Sequence, residues 1–210
     1  MTGPPAVEPD DASLIAASRH DPERFAALFD RHAGEIHRYL ARRVGPDNAD
    51  DLLAETFLIA FSQRDRYDAS RENARPWLYG IATNLVGRHR RNEVRFFRAI
   101  ARTGADPAAC IGAGHAALQA AEPLADRVTE RVAAEGVRKH LAAALARLRQ
   151  GDRDVLLLVA AGGFDYQEVA LALGIPVGTV SSRLARARRK LREALGGVDP
   201  TDAKEDVDDD

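Results

Sequence analysis

Apolar residues recur at intervals of three and four along most of this chain, and glycine or proline interrupts each run. Such spacing places apolar side chains on one face of an α-helix, whereas alternation at every second residue would indicate strands. In the first half, the runs are separated by Gly45-Pro46 and by a polar stretch before Pro76. Aromatic residues make up only 6% of the chain, which favours helices packed through Ala and Leu over a β-sandwich. The sequence therefore predicts an all-α fold.

The helical periodicity is confined to two parts of the chain, residues 10–98 and 123–195. Between them, residues 99–122 contain several glycines and an Asp-Pro pair without an amphipathic period, which is typical of a linker. Residues 1–9 are polar and proline-rich, and residues 196–210 are strongly acidic. We expect two small helical domains joined by a flexible linker, with a disordered N-terminus and a disordered acidic tail.

The formal net charge of −2 conceals an uneven distribution of charge. The last twelve residues hold seven acidic residues and one lysine, a net of −6, so residues 1–198 carry +4. No stretch approaches the roughly 20 apolar residues of a membrane span, and the N-terminus lacks the basic and apolar parts of a signal peptide. We therefore expect a cytoplasmic protein without membrane insertion.

Signatures of catalysis and of metal binding do not occur in this sequence. It has no Gly-rich phosphate loop with its lysine, no HExxH and no zinc-type Cys/His spacing. His32 and His37 are five residues apart and poorly placed for one helix face, and the single cysteine, Cys110, lies in the predicted linker. We predict that the protein is not an enzyme and has no catalytic residues, metal or cofactor.

The strongest local pattern is YQEVALALGIPVGTVSSRLARARRKL, residues 166–191. A helix-turn-helix needs a small residue where its helices touch, a turn residue that tolerates positive φ and a β-branched core residue in the second helix. Ala170, Gly174 and Val180 meet these needs at offsets of four and six. Pro176 can begin the second helix because its missing N–H would be unpaired there. This segment predicts a helix-turn-helix.

The second helix of this motif has an apolar face and a cationic face. At 100° per residue, the inward stripe consists of Val180, Leu184, Ala187 and Leu191. Arginine and serine are suited to bases and phosphates in the major groove. An ordinary solvated basic helix is the alternative, but the helix-turn-helix spacing favours DNA binding. The residues that we predict to contact DNA are Thr179, Ser181, Ser182, Arg183, Arg186 and Arg189.

A second basic patch, between Arg88 and Arg98, closes the first helical part, and we predict that it continues the helix that starts at Pro76. On that helix Trp77, Ile81 and Leu85 share one face, and Tyr79 and Thr83 lie opposite. Aromatic rings beside cations suit single-stranded nucleic acid, because bases stack on the rings while arginines hold phosphates. Trp77 is more simply a core residue. The predicted nucleic-acid contacts are Tyr79, Thr83, Asn84, Arg88, Arg90 and Arg91.

An acidic helix precedes this patch and contains Asp47, Asp50, Asp51 and Glu55. Acidic residues at a helix start usually complement the helix dipole. The more specific interpretation is a docking face for a basic protein partner.

In this order, ADDLLAETFLIAF, RPWLYGIATNLVGRHRR and the helix-turn-helix with PVGTVSSRLARAR resemble bacterial sigma factors of the sigma-70 type. The chain is most similar to the small, two-domain extracytoplasmic-function (ECF) group. The resemblance covers about residues 22–98 and 130–195.

The resemblance implies that residues 10–98 are a region 2, which docks on the clamp helices of RNA polymerase and opens the minus-10 element, with Asn84 receiving a flipped base. It implies that residues 123–195 are a region 4, which reads minus-35 DNA and binds the polymerase flap. It also implies an anti-sigma partner. The docking residues by resemblance are Asp51, Leu52, Glu55 and Leu58.

The chain departs from the family pattern at several positions. Ala54 stands where the family often has glutamine, and Gly87 where it often has aspartate. Ser181 and Ala185 replace larger side chains, which leaves more of the readout to arginines and to DNA shape.

A stand-alone helix-turn-helix regulator is the alternative function, but it would need two recognition helices one DNA turn apart, and no heptad seam for a dimer is present. An interaction protein without promoter dependence is the third class.

Overall fold

The computed structural model describes residues 9–104 and 124–196, and it describes side chains in the second part from residue 135 onward. Throughout these ranges the regular structure is helical, which confirms the predicted all-α fold. Two short 3-10 turns, Pro22–Arg24 and Arg64–Arg66, join the longer elements. The helices are α1 Asp11–Ser18, α2 Phe25–Val44, α3 Pro46–Gln63, α4 Arg75–Arg88, α5 Arg90–Thr103, α6 Leu124–Arg147, α7 Gln150–Gly162, α8 Tyr166–Leu173 and α9 Val177–Ala194.

Helix boundaries follow local chemistry at several of the predicted positions. Gly45 separates α2 from α3 with φ at 86°, a conformation that side-chain-bearing residues rarely adopt. The Asp165 carboxylate accepts hydrogen bonds from the backbone N–H groups of Gln167 and Glu168, both at 2.8 Å. The Glu168 carboxylate in turn accepts from the Asp165 N–H at 2.9 Å, which completes a capping box at the start of α8.

Other predicted boundaries are wrong. The basic patch does not continue α4, because the chain turns at His89 and begins α5. Residues 99–103 belong to α5 rather than to the linker, since burial of Ile100 keeps that stretch helical. The glycine at position 151 also predicts the end of the helix before it, but α6 already ends at Arg147, and Gly151 lies in the first turn of α7. Residues 105–122 of the predicted linker, residues 1–8 and the tail from residue 197 lie outside the described residues.

The two predicted domains pack against each other and share a hydrophobic core. In that core, Leu28 and Leu78 of the first part lie in one cluster with Leu158 and Val180 of the second. Helix α4 lies so close to α8 that a Cβ added at Gly80 would be 2.3 Å from the carbonyl oxygen of Ala172. Helix α5 packs along α6. The two parts are therefore in direct contact along α4–α8 and α5–α6, an arrangement that we call the closed structure.

Four buried charged side chains join the two parts. Arg43 of α2 donates from Nε to Glu93 of α5 at 2.7 Å and also pairs with Asp154 of α7. Arg153 of α7 donates from Nη2 to the other carboxylate oxygen of Glu93 at 2.8 Å. Each of the four is at most 6% exposed. Two positive and two negative charges give a neutral cluster, which we call the buried charge cluster.

A second buried polar group holds α1 against α2. His32 lies between the carboxylates of Asp11 at 2.8 Å and Glu35 at 2.9 Å, and the Ala74 N–H donates to Asp11 at 2.9 Å. Burial lowers the pKa of His32, but the hydrogen bonds that its ring donates to both carboxylates outweigh this effect and raise the pKa to about 8. Burial alone would raise the pKa of Asp11, yet its partners hold it at about 2. The histidine is therefore protonated at pH 7 in the folded protein.

Within residues 9–104 and 124–196, no helix has both the length and the hydrophobicity that a bilayer span requires.

Candidate nucleic-acid interface

Helices α8 and α9 form the predicted helix-turn-helix. Gly174 ends α8 with φ at 62°, and the Ile175 N–H donates back to the Ala170 carbonyl oxygen at 3.1 Å. This bond closes the turn in the manner of a Schellman motif. The predicted inward stripe is confirmed, because each of its members is at most 5% exposed: Val180, Leu184, Ala187 and Leu191.

The outer face of α9 carries the predicted DNA contacts in two environments. Ser181, Ser182 and Arg189 are exposed, whereas Thr179, Arg183 and Arg186 are half-buried. The hydroxyls of Ser181 and Ser182 donate to backbone carbonyl oxygens one turn earlier, at 3.4 and 3.1 Å. A DNA acceptor would therefore compete with these local bonds.

Two arginines of α9 lie against the first turn of α7. Arg186 Nη2 is 3.3 Å from the buried carboxylate of Asp152. A Cβ added at Gly151 would be 2.7 Å from Nη1 of Arg183, so glycine leaves room for this guanidinium. These contacts restrict the rotamers of both arginines before any ligand binds, which reduces the entropy lost on binding. The Arg186 side chain nevertheless remains 44% exposed.

The face of α4 that was predicted to contact nucleic acid is partly buried in the structure. Tyr79 and Thr83 are 2% and 1% exposed, so the prediction that they are available to DNA is wrong for this structure. The Tyr79 ring packs edge-on against Phe164 with centroids 4.7 Å apart, and the Thr83 hydroxyl lies 2.8 Å from the Tyr39 hydroxyl. The cause is that α4 contacts α2 and α3 as well as α8, so it has no single buried face.

The remaining predicted residues near the end of α4 are exposed. Asn84 and Arg88 lie on α4, and Arg90 and Arg91 lie in the first turn of α5. Together they form a polar and cationic surface beside the α4–α5 turn at His89. Their contact with DNA remains a prediction.

On α3, the predicted docking residues separate into exposed and buried positions. Asp51 is exposed, Glu55 is half-buried, and Leu58 is 68% exposed, which is unusual for a leucine. Leu52 is 3% exposed and belongs to the core, so its prediction as a surface contact is wrong. Leu52 lies on the same buried face as Thr56, one helical turn later.

An apolar surface on the helix-turn-helix was not predicted from the sequence. Leu171 and Val177 are 48% and 43% exposed and line a groove of about 690 Å³ at the turn between α8 and α9. Tyr166, 38% exposed, begins the same helix pair. The signal for this surface was present, because Leu171 and Val177 do not fit the inward stripes of their helices.

The chain matches family models and known proteins of RNA polymerase sigma factors. Residues 28–96 match Sigma-70 region 2, and residues 138–191 match Sigma-70, region 4. The ECF RNA polymerase sigma factor SigC of Mycobacterium tuberculosis (strain CDC 1551 / Oshkosh) is 32% identical over 194 residues, 91% of this chain and 92% of the relative. RNA polymerase sigma factor CarQ of Myxococcus xanthus is 32% identical over 181 residues, 84% of this chain and 92% of the relative.

Two solved structures share the fold. CnrH, solved in complex with the cytosolic domain of CnrY, has a TM-score of 0.54 at 24% identity and covers 89% of this chain and 97% of its own. The sigma factor RpoE of Bartonella quintana, solved with the anti-sigma factor NepR, has a TM-score of 0.53 at 23% identity. That match covers 83% of this chain and 98% of the other.

Proposed function

Because this chain belongs to the sigma-70 family of RNA polymerase sigma factors, in the ECF group, we propose that it reads promoters through two separate surfaces, α9 and the α4–α5 turn. As a sigma factor it binds core RNA polymerase and directs promoter-specific transcription initiation. The observation that carries the assignment of surfaces is the cationic outer face of α9, supported from behind by a fully buried apolar stripe.

We assign minus-35 recognition to the outer face of α9. Arg183 and Arg186 supply bidentate donors suited to guanine or phosphate, and their contacts with α7 hold them in place. Ser182 and Arg189 are exposed on the same face and can reach phosphates or base edges. The arginines would therefore carry most of the direct readout.

We assign minus-10 binding to the surface beside the α4–α5 turn. Asn84 offers both a donor and acceptors to a base edge, and Arg88, Arg90 and Arg91 offer charge to the adjacent phosphates. Tyr79 takes no part in the closed structure, since Phe164 covers its ring. It would become available only if α7 and α8 moved away.

The polymerase-binding surfaces proposed here are two. Asp51, Glu55 and Leu58 form an acidic surface with an exposed leucine on α3, which suits the clamp helices. Leu171 and Val177 form an apolar groove edge on the second domain, which suits the flap. Each surface contains an exposed leucine, which lies among acidic residues on α3 and beside another apolar residue at the groove edge. Exposed apolar patches of this kind mark interaction sites.

Simultaneous reading of both promoter elements requires the closed structure to open. The two elements lie about 25 base pairs apart, roughly 85 Å along B-DNA at 3.4 Å per step. A compact chain of this length has a radius of gyration of about 17 Å. The two parts would therefore separate along the α4–α8 and α5–α6 contacts. An anti-sigma protein that binds the closed form, a kind of partner found with RpoE, would hold the factor inactive.

We further propose that the protein has no catalytic activity of its own and acts in the cytoplasm, where core polymerase transcribes DNA. Its role is to place the polymerase and to select the site.

The test is transcription in vitro with core polymerase and pooled promoter DNA, with and without the protein. We expect discrete start sites that require the protein, and reduced yield with Asn84→Ala or Arg183→Ala. Arg188→Ala is the matched control, because it removes one exposed charge from α9 at a residue that is not assigned to minus-35 recognition. Failure to support any transcript, together with tight binding of the protein alone to duplex DNA, would indicate a stand-alone regulator instead.

A further inference from the structure

A groove of about 990 Å³ between α5 and α6 is lined by seven arginines. Arg88 ends α4, Arg147 belongs to α6, and the other five project from α5. Small apolar residues, among them Ala101 and Ala143, form its floor. We call this feature the arginine groove.

The charge of the arginine groove is not balanced by its surroundings. No acidic side chain lines it, and within the described residues none of the seven arginine side chains forms an ion pair or hydrogen bond. Along α5, Arg91 and Arg95 are four residues apart, as are Arg98 and Arg102, and like charges at this spacing destabilise a helix. Such a surface is best explained by an anionic occupant.

The arginine groove exists only while the structure is closed. Its α5 wall belongs to the region 2 part of the chain and its α6 wall to the region 4 part. An occupant that contacts both walls therefore binds the closed form and stabilises it by mass action.

We propose that the acidic segment Asp199–Asp210 of this same chain binds the arginine groove. The segment contains seven acidic residues against one lysine, so its charge is opposite to that of the groove and similar in size. Aspartate and glutamate form charge-assisted, often bidentate, hydrogen bonds with arginine.

The position of the last described helix agrees with this assignment. Leu191, near the end of α9, belongs to the same hydrophobic cluster as Ile100 of α5 and Leu145 of α6. The fourteen residues after Gly196 can extend at most about 50 Å, which exceeds the radius of a compact chain of this size by more than twofold. Because the segment is covalently attached, its effective concentration at the groove is in the millimolar range.

Binding of the acidic segment has a consequence that rests on the proposed function. Arg88, Arg90 and Arg91 line the arginine groove and are also the proposed phosphate contacts at the minus-10 element. The acidic segment would therefore occupy arginines that promoter DNA requires and would favour the closed form at the same time.

The primary test is site-specific photo-crosslinking in the full-length chain and needs neither polymerase nor promoter. Benzoylphenylalanine in place of Val207 should cross-link within the same molecule to α5 or to residues 135–147 of α6. The triple variant Arg95→Gln, Arg98→Gln, Arg102→Gln should abolish these cross-links. Arg188→Gln, Lys190→Gln, Arg192→Gln is the matched control, because it removes the same charge from α9 and should leave them in place.

A second variant leaves α5 unchanged, so its result does not depend on how the triple substitution affects the folding of that helix. Replacing the seven acidic residues of the segment by Asn and Gln leaves every described residue unchanged and should also abolish the cross-links. Cross-links that map to α9, that join two molecules, or that survive the α5 triple variant would overturn the proposal.

An oligonucleotide-binding measurement distinguishes between the acidic segment and nucleic acid as the occupant of the arginine groove. A fluorescent single-stranded oligonucleotide should bind the neutralised-segment variant about tenfold more tightly than the natural chain at low salt, since an attached competitor has been removed. Equal affinity for the two proteins would show that the segment does not compete with nucleic acid for this chain, and would overturn the proposal. A failure of the transcription assay alone would count against the proposed function and not against segment binding.

Discussion

Replacement of Glu93 by glutamine isolates the contribution of the buried charge cluster, because it keeps the shape of the side chain and removes its charge. Glu93 is 0% exposed and accepts hydrogen bonds from Arg43 at 2.7 Å and from Arg153 at 2.8 Å. In the Glu93→Gln variant, one amide oxygen can still accept from one arginine. The amide NH₂ would then face the second guanidinium, donor against donor.

The magnitude follows from the charges that remain. Asp154, which pairs with Arg43, would be the one acidic residue left in the cluster beside two buried arginines, so the neutral cluster would become positive although its members are at most 6% exposed. Breaking a buried ion pair from one side costs about 3–5 kcal/mol. For a domain of this size, each kcal/mol lowers Tm by about 2–4 °C, so the expected shift is on the order of 10 °C.

The assay is thermal and urea denaturation followed by far-UV circular dichroism. The matched control is Glu193→Gln, which removes a carboxylate 3.8 Å from Arg189 in a pair whose side chains are 63% and 67% exposed. We expect the control to change stability by less than about 0.5 kcal/mol. If Glu93→Gln resembled this control, the reasoning from burial and charge would be refuted.

Three further predictions concern pH, helix packing and docking. The pKa of His32 is about 8 in the folded protein and about 6.5 in the unfolded chain, so the stability that its protonation contributes is complete below pH 6.5 and disappears as pH rises through 8. A urea-denaturation series from pH 6 to 9 should show this loss of stability, and the His32→Asn variant should lack the pH-dependent loss. Gly80→Ala should destabilise the chain by about 1–3 kcal/mol in urea denaturation, because the new methyl would meet the backbone of Ala172, whereas Gly178→Ala, with open space around it, should not. Leu58→Ala should weaken pull-down of core polymerase without changing Tm, and an unchanged pull-down would contradict the docking assignment of α3.

The helix-turn-helix could be predicted from sequence because its determinants are local. The glycine that ends α8, the small residue at Ala170 and the stripe through Leu184 are all within a span of 26 residues, and a period of 3.6 is sufficient to place them. The same rule failed on α4, since it assumes one buried face and one exposed face. Tyr79 is covered by Phe164, which lies 85 positions later in the chain, and no local pattern encodes that contact.

The buried charge cluster could not be predicted for a related reason. In sequence, Arg43, Glu93 and Asp154 resemble ordinary surface residues on amphipathic helices. Their pairing partners are 50 and 111 positions away, so burial becomes apparent only when α2, α5 and α7 are brought together. The packing of the two parts against each other could therefore not be predicted from periodicity, and neither could α5 as a helix separate from α4.

The Glu93→Gln substitution should also make the two parts easier to separate. It should therefore lower the protein concentration needed for transcription, although it lowers stability. If only the open form binds promoter-bound polymerase, the apparent affinity equals the affinity of the open form multiplied by the fraction of molecules that are open. A loss of 3 kcal/mol from contacts between the two parts would raise that fraction by up to about 150-fold where the closed form dominates, at 1.4 kcal/mol per factor of ten. At a temperature well below its Tm, the variant should then reach half-maximal transcription at a lower protein concentration than the natural chain. Reduced stability with an unchanged or higher requirement for protein would show that the buried charge cluster supports the fold without restraining the opening that promoter binding needs.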